Sequence, residues 1–173
     1  MELNNLVRAS IYCALAVGMG FSLMLVPNVE LITVIVFLSG LTLGIGWGAV
    51  VGGTAIFIYS GLNPMGSGLS FPPLLIMQII GMTITGAAGG LVRPAFFHKN
   101  FNAISLAGLS LMGFFLTLIY DVLTLVSYPI SAGLGITGVM AALVKGMGFT
   151  ILHEISNAVV FVVAIPGVVK YLK

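Results

Sequence analysis

The chain has 173 residues, of which 60% are hydrophobic and only 6% charged, with a mean hydropathy of +1.23. A soluble domain of this length cannot hide that much apolar surface, so the composition excludes a soluble globular fold and indicates an integral membrane protein. Six Lys/Arg against four Asp/Glu leave a net charge of +2, and the scattered basic residues exclude a nucleic-acid-binding face. The single cysteine, Cys13, excludes an intrachain disulfide.

The first apolar run, Leu6 to Val26, is long for a signal-peptide core and lacks an Ala-x-Ala site near its end, so it reads as a retained first span. Arg8 anchors its start, and Pro27-Asn28 stops it. Ser10, Ala14 and Gly18 recur every fourth residue, with Ala9 and Cys13 alongside. This small-residue face can receive another helix at short range, or serve internal packing alone. Residues 30–59 are continuously apolar after Glu30. One helix of that length would measure about 45 Å, too long for a hydrocarbon core of about 30 Å. Gly44 to Gly48 therefore reads as a tight turn between two shorter helices, with Gly40, Gly44, Gly48 and Gly52 allowing close packing and Trp47 at an interface.

Residues 61–71 (GLNPMGSGLSF) form the clearest loop. Pro72-Pro73 then suits the first turn of a fourth span, which carries Gln78 and a GAAGG run at 86–90 and ends near Val92. Arg93 to Lys99, with His98, is a short basic loop. A fifth span runs from about Ala103 to Tyr128 and turns polar at Tyr120-Asp121. Residues 127–138 (SYPISAGLGITG) read as a second flexible loop before the last span.

Charge sets the topology. With six spans and a cytoplasmic N-terminus, Arg8, Arg93, Lys99, Lys170 and Lys173 all face the cytoplasm, and Lys145 alone lies outside. Five spans strand both Arg8 and Lys145. The expectation is an all-α membrane protein: a six-transmembrane-helix bundle with both termini cytoplasmic, forming one substrate-binding domain over residues 1–173.

The last span holds the densest polar patch. Lys145, Phe149, His153 and Asn157 lie at four-residue spacing on one stripe, with Glu154 beside it. Ionisable groups at membrane depth mark function by default. In the six-span topology His153 lies about 12 Å and Asn157 about 18 Å below Lys145, in the outer half of the membrane. Glu30, Asn63, Gln78, Asp121 and Lys145 can reach the same outward-opening cavity, and Tyr59, Tyr120, Tyr128 and Phe71 can stack on a ring. Structural alternatives stand beside this reading. Lys145 can snorkel to headgroups, Asp121 can pair with Lys145, and Glu154 can pair with His153 or Lys145.

Known chemistries fit poorly. His153-Glu154 opens like a zinc-protease helix, but Asn157 stands where the second histidine is needed. There is no P-loop and no G-x-S-x-G. An intramembrane enzyme built on His153, Glu154 or Ser156 remains one alternative. An autonomous small transporter or channel is another, although no inverted repeat is visible.

Three stretches resemble the substrate-binding S-components of energy-coupling factor (ECF) vitamin transporters. They are Pro27 to Thr33 (PNVELIT), Ser39 to Gly48 (SGLTLGIGWG), and Tyr120-Asp121 together with Ser156-Asn157-Ala158. The resemblance covers nearly the whole chain. It implies a non-catalytic, high-affinity binding subunit for uptake of a vitamin or related micronutrient. It implies as partners a transmembrane coupling protein and two cytoplasmic ATPases, which use the ATP, in a prokaryotic cell membrane; the subunit itself needs no cofactor or metal. It places the ligand site near the outer face, where Glu30, Asn63, Gln78, Tyr120, Asp121, Tyr128, Lys145, His153, Glu154 and Asn157 are the candidates. It places partner docking on the first span, at Ala9, Ser10, Cys13, Ala14 and Gly18, although the paired alanines of the family pattern are replaced here.

Overall fold

The computed structural model describes residues 3–97 and 101–172. Lys99 and Lys173, which enter the charge argument, and His98 of the basic loop lie outside the described residues. The described residues are all helix and connecting turns. The elements are α1 (Leu3–Leu23), α2 (Ile32–Leu43), α3 (Ile45–Gly61), a 3-10 turn (Gly68–Ser70), α4 (Pro72–Leu91), the single turn α5 (Arg93–Phe96), α6 (Ala103–Ser131) and α7 (Gly135–Leu172). Helices α1, α4, α6 and α7 are each long and apolar enough to cross a membrane, whereas α2 and α3 are shorter apolar helices. The chain is a membrane protein by this measure.

Two short helices replace one long one because of Gly44. Its φ of +95° is open to glycine but costly for other residues, and it ends α2 and starts α3 with no intervening loop. The reversal is sharp. A Cβ on Gly48 would come within 2.5 Å of the Gly40 Cα, and one on Gly52 within 3.0 Å of Val36, so α2 and α3 run antiparallel. Trp47 lies in the first turn of α3 and is half-buried. The same glycines admit α4. A Cβ on Gly86 would strike the Gly48 carbonyl, one on Gly52 the Met82 carbonyl, and one on Gly89 the Phe37 carbonyl. Backbone thus packs on backbone across α2, α3 and α4, the close approach that small residues permit in membrane bundles.

Helix α2 is the centre of the molecule. It packs against α1, α3, α4 and α7, and all its residues except Ile35 and Leu43 are buried. A helix apolar on every side is stable only when surrounded. The main core joins Val34, Phe37, Leu38 and Leu41 of α2 to Leu109 and Leu116 of α6 and to Phe161, Ile165 and Val169 of α7. Phe37 and Phe161 are tilted rings with centroids 5.0 Å apart. Cross-contacts fix the helix directions. Tyr12 meets Thr42 and Gly20 meets Ile32, so α1 opposes α2. Gly113 meets Asn157 and Leu125 meets Gly146, so α6 opposes α7. Directions therefore alternate along the chain. Arg8, Arg93 and Lys170 lie toward the Gly44 end, and Lys145 toward the other.

Two boundaries differ from expectation. The loop expected over residues 127–138 is mostly helix: α6 runs to Ser131 and α7 begins at Gly135. Pro129 sits inside the last turn of α6 and is buried, so packing holds the turn despite the missing N–H. The reversal is made by Ala132 to Leu134, with Gly133 and Gly135 at φ of +66° and +61°. At the other boundary, Ser67 caps the 3-10 turn by accepting from the Leu69 N–H, inside a stretch expected to be plain loop.

A methyl group added at the α3–α4 contact has nowhere to go. Gly86→Ala is expected to destabilise the bundle by about 1–3 kcal/mol through overpacking. Gly46→Ala, where a Cβ meets nothing within 4 Å, is expected to be neutral or slightly stabilising. Thermal unfolding of the two variants in detergent compares them directly.

Candidate functional site

The polar centre begins at the turn between α1 and α2. Asn28 has φ of +58°, the one non-glycine residue with positive φ among the described residues, in the left-handed region that asparagine tolerates. The turn delivers Glu30 to the start of α2, where its Oε2 accepts from the Thr33 N–H at 2.9 Å. That bond satisfies one orphan donor of the helix N-terminus and sets negative charge at the positive end of its dipole. The other oxygen, Oε1, accepts from Asn157 Nδ2 at 2.9 Å and lies 3.7 Å from His153 Nε2. The opposite ring nitrogen, His153 Nδ1, lies 3.0 and 3.1 Å from the two carboxylate oxygens of Asp121. Both nitrogens of His153 thus face carboxylates, an arrangement suited to a ring that donates from each.

Burial pushes the Glu30 carboxyl up, but the hydrogen bonds from His153 and Thr33 and the imidazole charge outweigh it, so the group is held below its ordinary value of 4.5.

Two cavities flank this network. One, of about 240 Å³, is lined by the end of α1, the Pro27–Glu30 turn, Tyr59 and His153. The other, of about 250 Å³, is lined by Asn28, by Asp121, Thr124 and Leu125 of α6, and by Gly146, Phe149, Thr150 and His153 of α7. Asn28 and His153 belong to both. They form the partition, with Glu30 on one side and Asp121 on the other.

The remaining sequence candidates divide. Glu154 is buried beside the network with Oε1 unpartnered, as is Asn157 Oδ1. Tyr120 packs on Gly81 and interacts with Gln78, whose Oε1 also accepts from Ser60 Oγ at 2.6 Å. Asn63 lies in the connection between α3 and α4, where it accepts from the Met65 N–H at 2.9 Å and hydrogen-bonds Tyr59 of the first cavity. Tyr128 is exposed and pairs with Phe71, their ring centroids 6.1 Å apart. Lys145 is exposed and lines neither cavity. The alternative pairings are not formed. Asp121 bonds His153 rather than Lys145, and the ion pairs among the described residues do not include Glu154.

Asn28, Thr33, Ser60 and Thr117 are not among the site residues expected from the sequence, although Asn28 and Thr33 lie in its PNVELIT stretch. Asn28 had a signal in its place directly after a helix-stopping proline, and Thr117 in its place one turn before Asp121. Thr33 acts through its backbone, which carries no sequence mark. Among the described residues no group of three His, Cys, Asp or Glu side chains is placed to hold a metal ion.

A second feature lies on the flank of the bundle. Ala9, Ser10, Cys13, Ala14 and Gly18 all line one apolar groove of about 650 Å³ between α1 and α3, with Trp47, Val50 and Thr54 opposite. The small-residue face is therefore not consumed by internal packing along its length.

Comparison of the chain with family models, curated proteins and solved structures returned no match.

Because the Glu30 value is lowered in the folded state, its stabilisation is full above about pH 4.5 and is lost as pH falls through the native value. Glu30→Gln is expected to lower the unfolding temperature at pH 7 and to flatten its decline as pH falls below about 4.5. Melting curves across that range check this, and an unchanged acid limb would show that Glu30 is not a source of the acid sensitivity.

Proposed function

We propose that this chain is the membrane-embedded S-component of an ECF-type transporter, binding a vitamin-like micronutrient for uptake. The observation that carries the reading is the polar network of Glu30, Asp121, His153 and Asn157, flanked by two cavities inside an otherwise apolar bundle. Buried charge of this kind is costly in a purely structural role. Its hydrogen-bonding groups suit recognition of a small polar molecule.

In this reading the six alternating helices are six membrane passes with both termini cytoplasmic. The gathering of Arg8, Arg93 and Lys170 toward the Gly44 end supports that orientation. The cavities then open outward, and Phe161, Ile165 and Val169 close the core toward the cytoplasm. The chain is non-catalytic and hydrolyses no ATP itself; two cytoplasmic ATPases do so through a transmembrane coupling protein. That protein docks in the α1–α3 groove, where small side chains allow backbones to approach closely.

Two experiments separate the two surfaces. Gently purified protein analysed by native mass spectrometry is expected to carry a bound small molecule. Asp121→Ala is expected to weaken its retention by one to two orders of magnitude, from loss of a charge-assisted bond of about 1.5–3 kcal/mol. Ala14→Trp fills the groove and is expected to abolish co-purification with the coupling protein and ATPases while leaving the small molecule bound. Absence of both a ligand and an ATPase partner sinks the reading. Substrate flux in liposomes containing this chain alone would favour an autonomous transporter instead.

A further inference from the structure

Three side-chain oxygens are buried without a hydrogen-bond partner among the described residues: Thr117 Oγ1, Glu154 Oε1 and Asn157 Oδ1. Their residues are 0%, 4% and 1% exposed. The register of α6 against α7 brings them to one level. Gly113 abuts the Asn157 backbone, and Asp121 meets His153. Thr117 lies one turn from each on the same stripe of α6. Glu154 and Asn157, three residues apart, share a face of α7.

At this level stand a carboxylate oxygen, an amide oxygen and a hydroxyl, with no cationic side chain paired to Glu154 among the described residues. Glu30 and Asp121 already face the single imidazole of His153 and Glu154 adds a third carboxylate, so carboxylates outnumber cationic groups here. A buried carboxylate in that setting needs a positive partner. No hydrogen bond joins any two of the three oxygens among the described residues, so none of them satisfies another. A water satisfies acceptors but not charge. One carboxylate with two neutral oxygens matches a monovalent ion better than a divalent one, which takes several carboxylates and waters.

We propose that Thr117, Glu154 and Asn157 form a buried site between α6 and α7 for one monovalent metal cation of the sodium class. The site connects to the cavities through one amide. Asn157 Nδ2 donates to Glu30 Oε1, and a cation on Oδ1 polarises the same amide and strengthens that donation. Occupancy therefore helps hold Glu30 in place, and coupling between cation and cavity ligand is reciprocal. The inference does not depend on the identity of the transported molecule.

The test is equilibrium binding of radioactive sodium to the purified full chain, with unfolding temperatures measured in sodium chloride and in N-methylglucamine chloride at equal ionic strength. The expected result is saturable uptake of one ion per chain and a higher unfolding temperature in sodium. Glu154→Gln is expected to abolish both effects. Thr117→Val, which keeps the packing volume, is expected to weaken sodium binding about tenfold, and Lys145→Ala to leave it unchanged. Absence of saturable uptake, or uptake that survives Glu154→Gln, overturns the proposal. Equal stability in the two salts, with Glu154→Gln no less stable than the parent, assigns the position to a proton or a water instead and also overturns it.

Discussion

The carboxylate of Glu30 is the tie on which the arrangement of the polar half depends. One oxygen fastens the first turn of α2 by accepting from Thr33. The other accepts from Asn157 of α7, 127 positions further along the chain, and faces His153. His153 in turn bonds Asp121 of α6. A single side chain therefore joins the central helix to the closing hairpin of the bundle. Remove it, and Asn157, His153 and the start of α2 each lose a partner. Apolar packing of Phe37 on Phe161 holds the same helices together further down, but it carries no directional information about where the polar groups point.

The other organising constraint is steric. Gly40, Gly48, Gly52, Gly86 and Gly89 bring α2, α3 and α4 so close that carbonyl oxygens occupy the space of absent side chains. That tightness makes one side of the bundle a rigid block. The opposite side is looser. Helices α1 and α7 flank α2 without a packed interface of their own among the described residues, and the Pro27–Glu30 turn bridges them where the first cavity lies. The molecule is thus firm where glycine packs on glycine and open where the polar groups gather.

Much of this was visible in the chain before folding. The excess length of residues 30–59 and their glycine spacing placed the turn at Gly44, since an apolar run cannot exceed the bilayer without reversing or tilting. The four-residue spacing of His153 and Asn157 placed both on one face. The small residues of α1 left a docking face and internal packing equally open, and only the fold shows that they line a groove. What was not visible depended on partners distant in sequence. Nothing local says that Glu30 meets Asn157 or that Asp121 prefers His153 to Lys145. The loop misplaced at residues 127–138 shows the converse error: Pro129 and Gly133 suggest flexibility, yet burial of the proline keeps α6 helical through it. Turn-forming residues state a local preference, and tertiary packing decides whether it is expressed.

The brevity of α2 has a consequence for how charge is felt in this protein. Twelve residues span only about 18 Å, well short of a hydrocarbon core. Because α2 is enclosed by other helices, this shortness causes no mismatch with lipid, and the non-helical backbone before it is tolerated because protein surrounds it. The carboxylate at its start therefore sits below the level where neighbouring helices begin and end. The Glu30 side chain keeps 21% of its surface exposed and lines the first cavity, so solvent and small ions reach it from that one side. Charge recognition there is a contest among Glu30, Asp121, His153 and whatever enters, directed by the single side from which it can be approached.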